Sequence, residues 1–259
     1  MSTPRVALVT GSTSGIGLGI ARALAARGDT VVLNGFGESA AIDALRAELA
    51  AGGAHIDYDA ADMSKPEQIE RCVRDLEARH GRLDILVANA GIQHTARVEA
   101  FPAERWDAIL AINLSAAFHL ARAALPGMQA RGHGRIVHIA SVHGLVASIE
   151  KSAYVAAKHG LVGLTKVIAL ENAERDITCN AICPGWVKTP LVEKQIVARA
   201  EREGLSLDAA QRALLAEKEP TLRFTAPEDI AAAVLFLCGP AGGNITGTTL
   251  ALDGGWTAR

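Results

Sequence analysis

Short apolar runs, separated by longer stretches with helical spacing, leave few folds open to this chain. The runs are VALVT (6–10), TVVLN (30–34), HIDYDA (55–60), LDILVAN (83–89), RIVHIAS (135–141), ITCNAIC (177–183) and TTLALDG (248–254). Between them lie IARALAARG, AIDALRAELAAG, PEQIERCVRDLEARHG and a long segment after Pro102. Several runs are apolar on both faces, which is the pattern of a parallel sheet covered by helices on both sides. Strict β–α alternation with right-handed crossovers predicts an α/β protein with a doubly wound parallel sheet of about seven strands. No linker or repeat interrupts it, so a single domain over 1–259 is expected. One excursion is longer than a crossover requires. Residues 188–224, before the last run, are charged and helically spaced, and are expected to form a lid-like helical cover over a substrate site.

Bulk properties exclude several functions. The chain has 259 residues, of which 49% are hydrophobic, enough for a two-sided core. Its 26 basic and 28 acidic residues are mixed, giving a net charge of −2 with no basic stripe for nucleic acid. Cys72, Cys179, Cys183 and Cys238 form no CxxC pair and read as small buried apolar residues. The histidines show no carboxylate or cysteine cluster that would make a metal site, so no metal is expected. The N-terminal MSTPRVALVTG lacks a signal-peptide pattern, and the apolar run at 230–239 is too short to cross a bilayer. A soluble cytoplasmic protein without a membrane partner is the expectation.

After the first run comes TGSTSGIG, residues 10–17. Glycines at 11, 15 and 17 allow a tight turn, and the N–H groups of the following helix face an anion such as a pyrophosphate. Thr13, Ser14 and Ile16 complete that loop. At the first strand–helix junction of a doubly wound pattern, this points to a dinucleotide. Further on, Tyr154 and Lys158 are one helical turn apart on one face. A cation beside a phenol favours the phenolate, which suits Tyr154 to general acid–base work.

The G-x-x-x-G-x-G spacing, NAG at 89–91 and Tyr154-x-x-x-Lys158 together resemble the classical short-chain dehydrogenases/reductases, with a Rossmann-like fold, from end to end. The resemblance extends to Asn113 in AINLSAAF, Ser141 after the fifth run, Asp62 in ADMS and PGWVKTP at 184–190. It implies catalysis by Asn113, Ser141, Tyr154 and Lys158. Ser141 would bond the reacting oxygen, Lys158 the nicotinamide ribose, and Asn113 would support a water-linked proton relay. It implies cofactor contacts at Asp62, Asn89, Ala90, Gly91, Pro184, Gly185, Val187 and Thr189, and a homotetramer. The second run ends in Asn34, Gly35 and Phe36 rather than in an acid. From Asp29 to Leu45 there is no Lys or Arg to meet a 2′-phosphate, and Glu38 would repel one, so NAD is favoured over NADP. Phe36 is expected near the adenosine.

Two further residues flank the reactive pair. His143 follows Ser141 by two, and Lys151 precedes Tyr154 by three. A partly enclosed cation calls for an anion, which suggests a substrate carboxylate held by Lys151 with His143 as a second donor. Gln93 after NAG and Gln195 in the excursion could join them, with Trp186 and Trp256 as an apolar wall. These features are similar to a bacterial subgroup acting on (R)-3-hydroxybutyrate and acetoacetate. Two alternatives stay open. One is a family member acting on a thioester, a sugar or another secondary alcohol. The other is a dinucleotide-sensing protein that does no chemistry. His143 could be a loop residue, Lys151 a solvated helix start and Gln195 a surface amide; His94 reads as structural.

Overall fold

A computed structural model describes residues 4–258. The chain alternates as expected: β1 (Val6–Val9), α1 (Gly15–Ala26), β2 (Thr30–Asn34), α2 (Ser39–Ala50), β3 (Ile56–Asp59), α3 (Pro66–His80) and β4 (Ile85–Ala88). It continues with α4 (Ala103–Leu110), α5 (Ala116–Arg131), β5 (His133–Ile139), α6 (Ser152–Glu171) and β6 (Asp176–Pro184). Helices α7 (Pro190–Glu203), α8 (Leu207–Ala216) and α9 (Pro227–Cys238) precede β7 (Thr249–Leu252). The seven strands form one sheet in the order β3-β2-β1-β4-β5-β6-β7, with every pairing parallel.

The double-sided apolarity of the strands has a direct cause. In β1, Val6 and Leu8 pack on one face with Leu76 of α3, Leu120 of α5 and Leu161 of α6. Ala7 and Val9 face the other way, against Ile20 and Leu24 of α1 and Ile230 and Val234 of α9. Period-two alternation thus feeds two separate cores from one strand. The order reverses between β1 and β4, so their carboxyl ends open a crevice. Gly11 and the Asn89-Ala90-Gly91 loop emerge there.

Five of the runs end one or two residues earlier than their composition suggested, β4 and β5 among them. β4 stops at Ala88 and β5 at Ile139, and beyond them the Asn89 and Ser141 side chains make loop hydrogen bonds. Between α4 and α5, residues Ala111–Ser115 form a widened π-type turn. Among the described residues, Ala103–Arg131 and Ser152–Glu171 are long and apolar enough to cross a membrane by length and composition, which corrects the focus on 230–239. Here they pack against the sheet, leaving Trp106, Phe118, Val167 and Leu170 exposed.

The excursion forms two helices with a small core of their own. Val192, Ile196 and Ala200 of α7 meet Ala210 and Leu214 of α8, with Trp186 and Phe224 against them. Its two ends are pinned together. Lys188 N–H donates to the Thr225 carbonyl at 3.0 Å, and Thr225 N–H to the Trp186 carbonyl at 3.0 Å. All four cysteines are buried free thiols.

Candidate active site

The crevice at the strand-order reversal deepens into a cavity of about 640 Å³. Every residue assigned above to cofactor or substrate lines it except Gly17, and so do Ser141, Tyr154 and Lys158 of the catalytic set. Gly17 and Asn113 lie behind its wall. A Cβ on Gly17 would sit 2.3 Å from the Gly11 carbonyl oxygen and 2.5 Å from Asn89 Nδ2. Gly11 itself has φ +61° and would place a Cβ 2.9 Å from Ala90 Cα. The glycines therefore let the first helix, the loop and the β4 end close on one another. This leaves a narrow cradle that fits a dinucleotide pyrophosphate.

Buried side chains brace the cradle. Thr10 Oγ1 accepts from the N–H groups of Asn89 and Ala90, both at 3.0 Å. Asn89 Nδ2 donates to the Thr10 carbonyl at 2.8 Å and the Gly11 carbonyl at 3.1 Å. Asn34, at the tip of β2, is 1% exposed. Its amide donates to the Asp59 and Ala61 carbonyls and its oxygen accepts from Gly11 N–H. The residue standing where an acid is common is thus a crosslink between β2, β3 and the loop. Phe36 is 70% exposed, so it flanks the ribose end of the cavity rather than packing in the core. Asp62 is held by Ser64 N–H at 2.8 Å and also lines that end.

At the other end, Ser141 is extended (φ −176°, ψ 163°), and its hydroxyl accepts from His143 N–H at 3.2 Å. Tyr154 and Lys158 project from α6, and Lys158 Nζ lies 5.6 Å from the Tyr154 ring centre. Lys158 donates to the Ile139 carbonyl at 2.7 Å, and burial pushes its pKa down to about 8. The sequence suggested that Lys158 would lower the Tyr154 pKa. In this structure burial wins: the phenol is pushed above its ordinary value, with the Ser141 hydroxyl as the opposing influence. Asn113 is buried behind the cavity wall. Its side chain exchanges two 2.9 Å hydrogen bonds with the Ile92 backbone. The π-type turn places it there, beneath Gly91.

His143 and Lys151 share the Tyr154 end. The His143 ring meets the Tyr154 ring at 5.8 Å and the Trp256 ring at 5.4 Å, both edge-on. Its Nδ1 is 3.3 Å from Ser141 Oγ and its Nε2 3.0 Å from Ser148 Oγ. Burial, then the charge of Lys151, push its pKa down to about 3, so the ring is neutral and carries one N–H. Lys151 follows Glu150, whose φ of +63° redirects the chain into α6. Its ammonium lies 5.6 Å from the Trp186 ring centre, and burial lowers its pKa. Gln93 and Gln195 are both half-buried at the cavity edge, whereas His94 stacks edge-on with Phe101 at 5.3 Å.

Several contributors were not foreseen. Glu219, between α8 and α9, is fully buried; its Oε1 accepts from Trp186 N–H and its Oε2 has no partner. Burial pushes its pKa up to about 7. Lys218 beside it reaches over Trp256. Neither carries a motif, and only the burial of a charged pair in a polar helical stretch could have flagged them. The sequence also missed a cluster: His55, Asp57 and His80 bring their ligating atoms within 4.8 Å of one another. Folding joins the start of β3 to the end of α3. Arg79 donates to Asp57 at 3.0 Å, and Arg46 lies 3.9 Å from it, so its charge already has cationic partners.

Known proteins resemble this chain over nearly its whole length. Residues 11–257 match the family described as enoyl-(acyl carrier protein) reductase. A D-beta-hydroxybutyrate dehydrogenase from Cupriavidus necator is 54% identical over 261 aligned positions, covering 100% of both chains. One from Rhizobium meliloti is 49% identical, covering 98% of this chain and 99% of that one. A crystal structure of L-sorbose reductase from Gluconobacter frateurii, complexed with NADPH and L-sorbose, superposes with a TM-score of 0.94 at 30% identity. That match covers 99% of this chain and 98% of the other.

Proposed function

As the chain belongs to the short-chain dehydrogenase/reductase family, we propose that it is an NAD-dependent dehydrogenase interconverting (R)-3-hydroxybutyrate and acetoacetate. One observation carries the choice of substrate. Lys151, a half-buried ammonium with no carboxylate in ion-pair range among the described residues, faces the cavity that holds Ser141 and Tyr154. An enclosed, unneutralised cation favours an anionic substrate over a neutral one. A neutral His143, Gln93 and Gln195 supply the remaining donors for the carboxylate. Trp186 and Trp256 wall the short alkyl chain, and helices α7 and α8 cover it.

In oxidation, the C3–H bond of the hydroxy acid breaks and its electron pair leaves as hydride. The hydroxyl proton passes to the Tyr154 oxygen, and a C=O bond forms. Oxidised dinucleotide, when bound, supplies the hydride acceptor and a positive charge near the phenol. Ser141 holds the reacting oxygen. Lys158 would bond the nicotinamide ribose and place a cation near the phenol during proton transfer. Asn113 fixes the Ile92 backbone behind this machinery and would support proton relay to Lys158. The cradle residues from Gly11 to Gly17, with Asn89, Ala90 and Gly91, would hold the pyrophosphate and nicotinamide half. Phe36 and Asp62 would hold the adenosine, and Pro184, Gly185, Val187 and Thr189 the carboxamide side.

NAD is favoured because the ribose end of the cavity lacks Lys or Arg from Asp29 to Leu45. Exposed Trp106, Phe118, Val167 and Leu170 on two long helices support a homotetramer, and a cytoplasmic location goes with this role. The test follows absorbance of the reduced nicotinamide with (R)- and (S)-3-hydroxybutyrate and with NAD and NADP. Turnover of the (R) acid with NAD is expected, and Tyr154→Phe should lose at least about 100-fold in kcat while still binding NAD. A preference for NADP, or normal turnover in Tyr154→Phe, would overturn the reading.

A further inference from the structure

Two lysines, not one, approach the tryptophan wall of the pocket. Lys151 Nζ lies 5.6 Å from the Trp186 ring centre, and Lys218 Nζ lies 5.7 Å from that of Trp256. The two indoles are 6.3 Å apart and inclined by 33°, and Trp256 also abuts His143. Each cation therefore lies over one indole of the pair. Lys218 comes from the segment after α8, far from Lys151 in sequence.

Among the described residues, no carboxylate neutralises this second charge: none lies within ion-pair range of Lys218 or Lys151. Glu219, next in the chain, turns inward to Trp186 N–H. The Asp253 carboxylate is occupied by the N–H groups of Gly255 and Thr257 and by the Thr257 hydroxyl. Lys218 disfavours the charged forms of both Lys151 and His143, so its field reaches the pocket. A charge that repels those groups attracts an anion at the same place. Lys218 does not line the cavity, so it acts through this field and through Trp256.

We propose that Lys218 is a second specificity-determining cation, which works with Lys151 to make the pocket select a carboxylate over a neutral acyl derivative. This rests on the carboxylate reading of the site. It adds that recognition draws on a positive field spanning the excursion and α6, rather than on one contact. Lys218 is a positioning and field residue and takes no part in proton transfer.

The test is steady-state kinetics of the full chain and of Lys218→Gln and Lys218→Arg, at low and raised salt. Substrates are (R)-3-hydroxybutyrate and its methyl ester, the ester being scored by KM or, where its turnover is slow, by competitive Ki. Lys218→Gln should raise KM for the acid about three- to tenfold, flatten its salt dependence, and leave kcat, KM for NAD and the ester constant in place. Lys218→Arg should restore the acid KM. Equal losses on acid and ester would assign Lys218 to structural support of Trp256 and overturn the proposal, as would no change on either. Lys151→Met separates the two readings. If it raises the acid KM while Lys218→Gln does not, only this inference falls. If Lys151→Met also leaves the acid KM in place, the carboxylate pocket itself falls.

Discussion

Replacing Lys151 with methionine removes the charge but keeps the apolar stem against Trp186. The proposed contact is a charge-assisted hydrogen bond to the substrate carboxylate, a class contributing about 1.5–3 kcal/mol. The remaining donors are weaker. His143 is neutral with one N–H, and Gln93 and Gln195 are uncharged amides at the cavity edge. A loss of about 2–3 kcal/mol corresponds to about 30- to 150-fold in kcat/KM for the acid, expressed mainly in KM. The free protein should respond in the opposite sense. Burial and Lys218 hold the Lys151 pKa below its ordinary value, so the ammonium opposes folding wherever it stays charged. Lys151→Met should therefore keep or raise Tm near neutral pH. The assay is initial-rate NADH formation against (R)-3-hydroxybutyrate, with thermal unfolding in parallel. A kcat/KM within about twofold of the parent would refute the reasoning, as would an equal rise in KM for NAD.

Glu219→Gln keeps the acceptor for Trp186 N–H and removes a carboxyl whose pKa is raised to about 7. The neutral acid suits the fold, so the wild-type contribution is intact below the unfolded value and falls as pH rises through about 7. Relative to wild type, the variant should gain on the order of 2 kcal/mol between pH 5 and 7, read by denaturant unfolding, and a constant difference across that window would be contrary. Gly17→Ala places a Cβ 2.3 Å from the Gly11 carbonyl. It should weaken NAD binding by about tenfold or more with little change in secondary structure, measured by calorimetric titration; unaltered affinity would show that the cradle is not the dinucleotide site.

The doubly wound sheet was legible because each strand is covered on both faces, so VALVT and LDILVAN read as continuous apolar runs. Tyr154 and Lys158 were legible because one helical turn joins them. Ser141, His143 and Lys151 lie within fourteen residues of that pair, and local spacing brought them into the same cavity. What spacing could not convey was the balance of forces. Burial raises the Tyr154 pKa against only the Ser141 hydroxyl, and the His143 ring is neutral because it is enclosed. Contributors distant in sequence were also hidden. Lys218 and Glu219 sit in a charged stretch that reads as solvated helix, yet the excursion folds back and lays one over Trp256 and the other under Trp186. Asn34 showed only the lack of an acid; its three-way crosslink depends on β3 and the loop arriving together. The same holds for His55, Asp57 and His80, which meet only once α3 returns to β3.

Selection of a carboxylate turns on the Lys151 ammonium in the cavity that holds Ser141 and Tyr154. The most direct measurement compares kcat/KM of the unaltered protein, with NAD, for (R)-3-hydroxybutyrate and for its methyl ester, which shares every atom of the reacting centre. The acid should be favoured by about 100-fold or more. Equal values for acid and ester would contradict it, since the chemistry at Tyr154 would then proceed without the charge that Lys151 is held in place to meet.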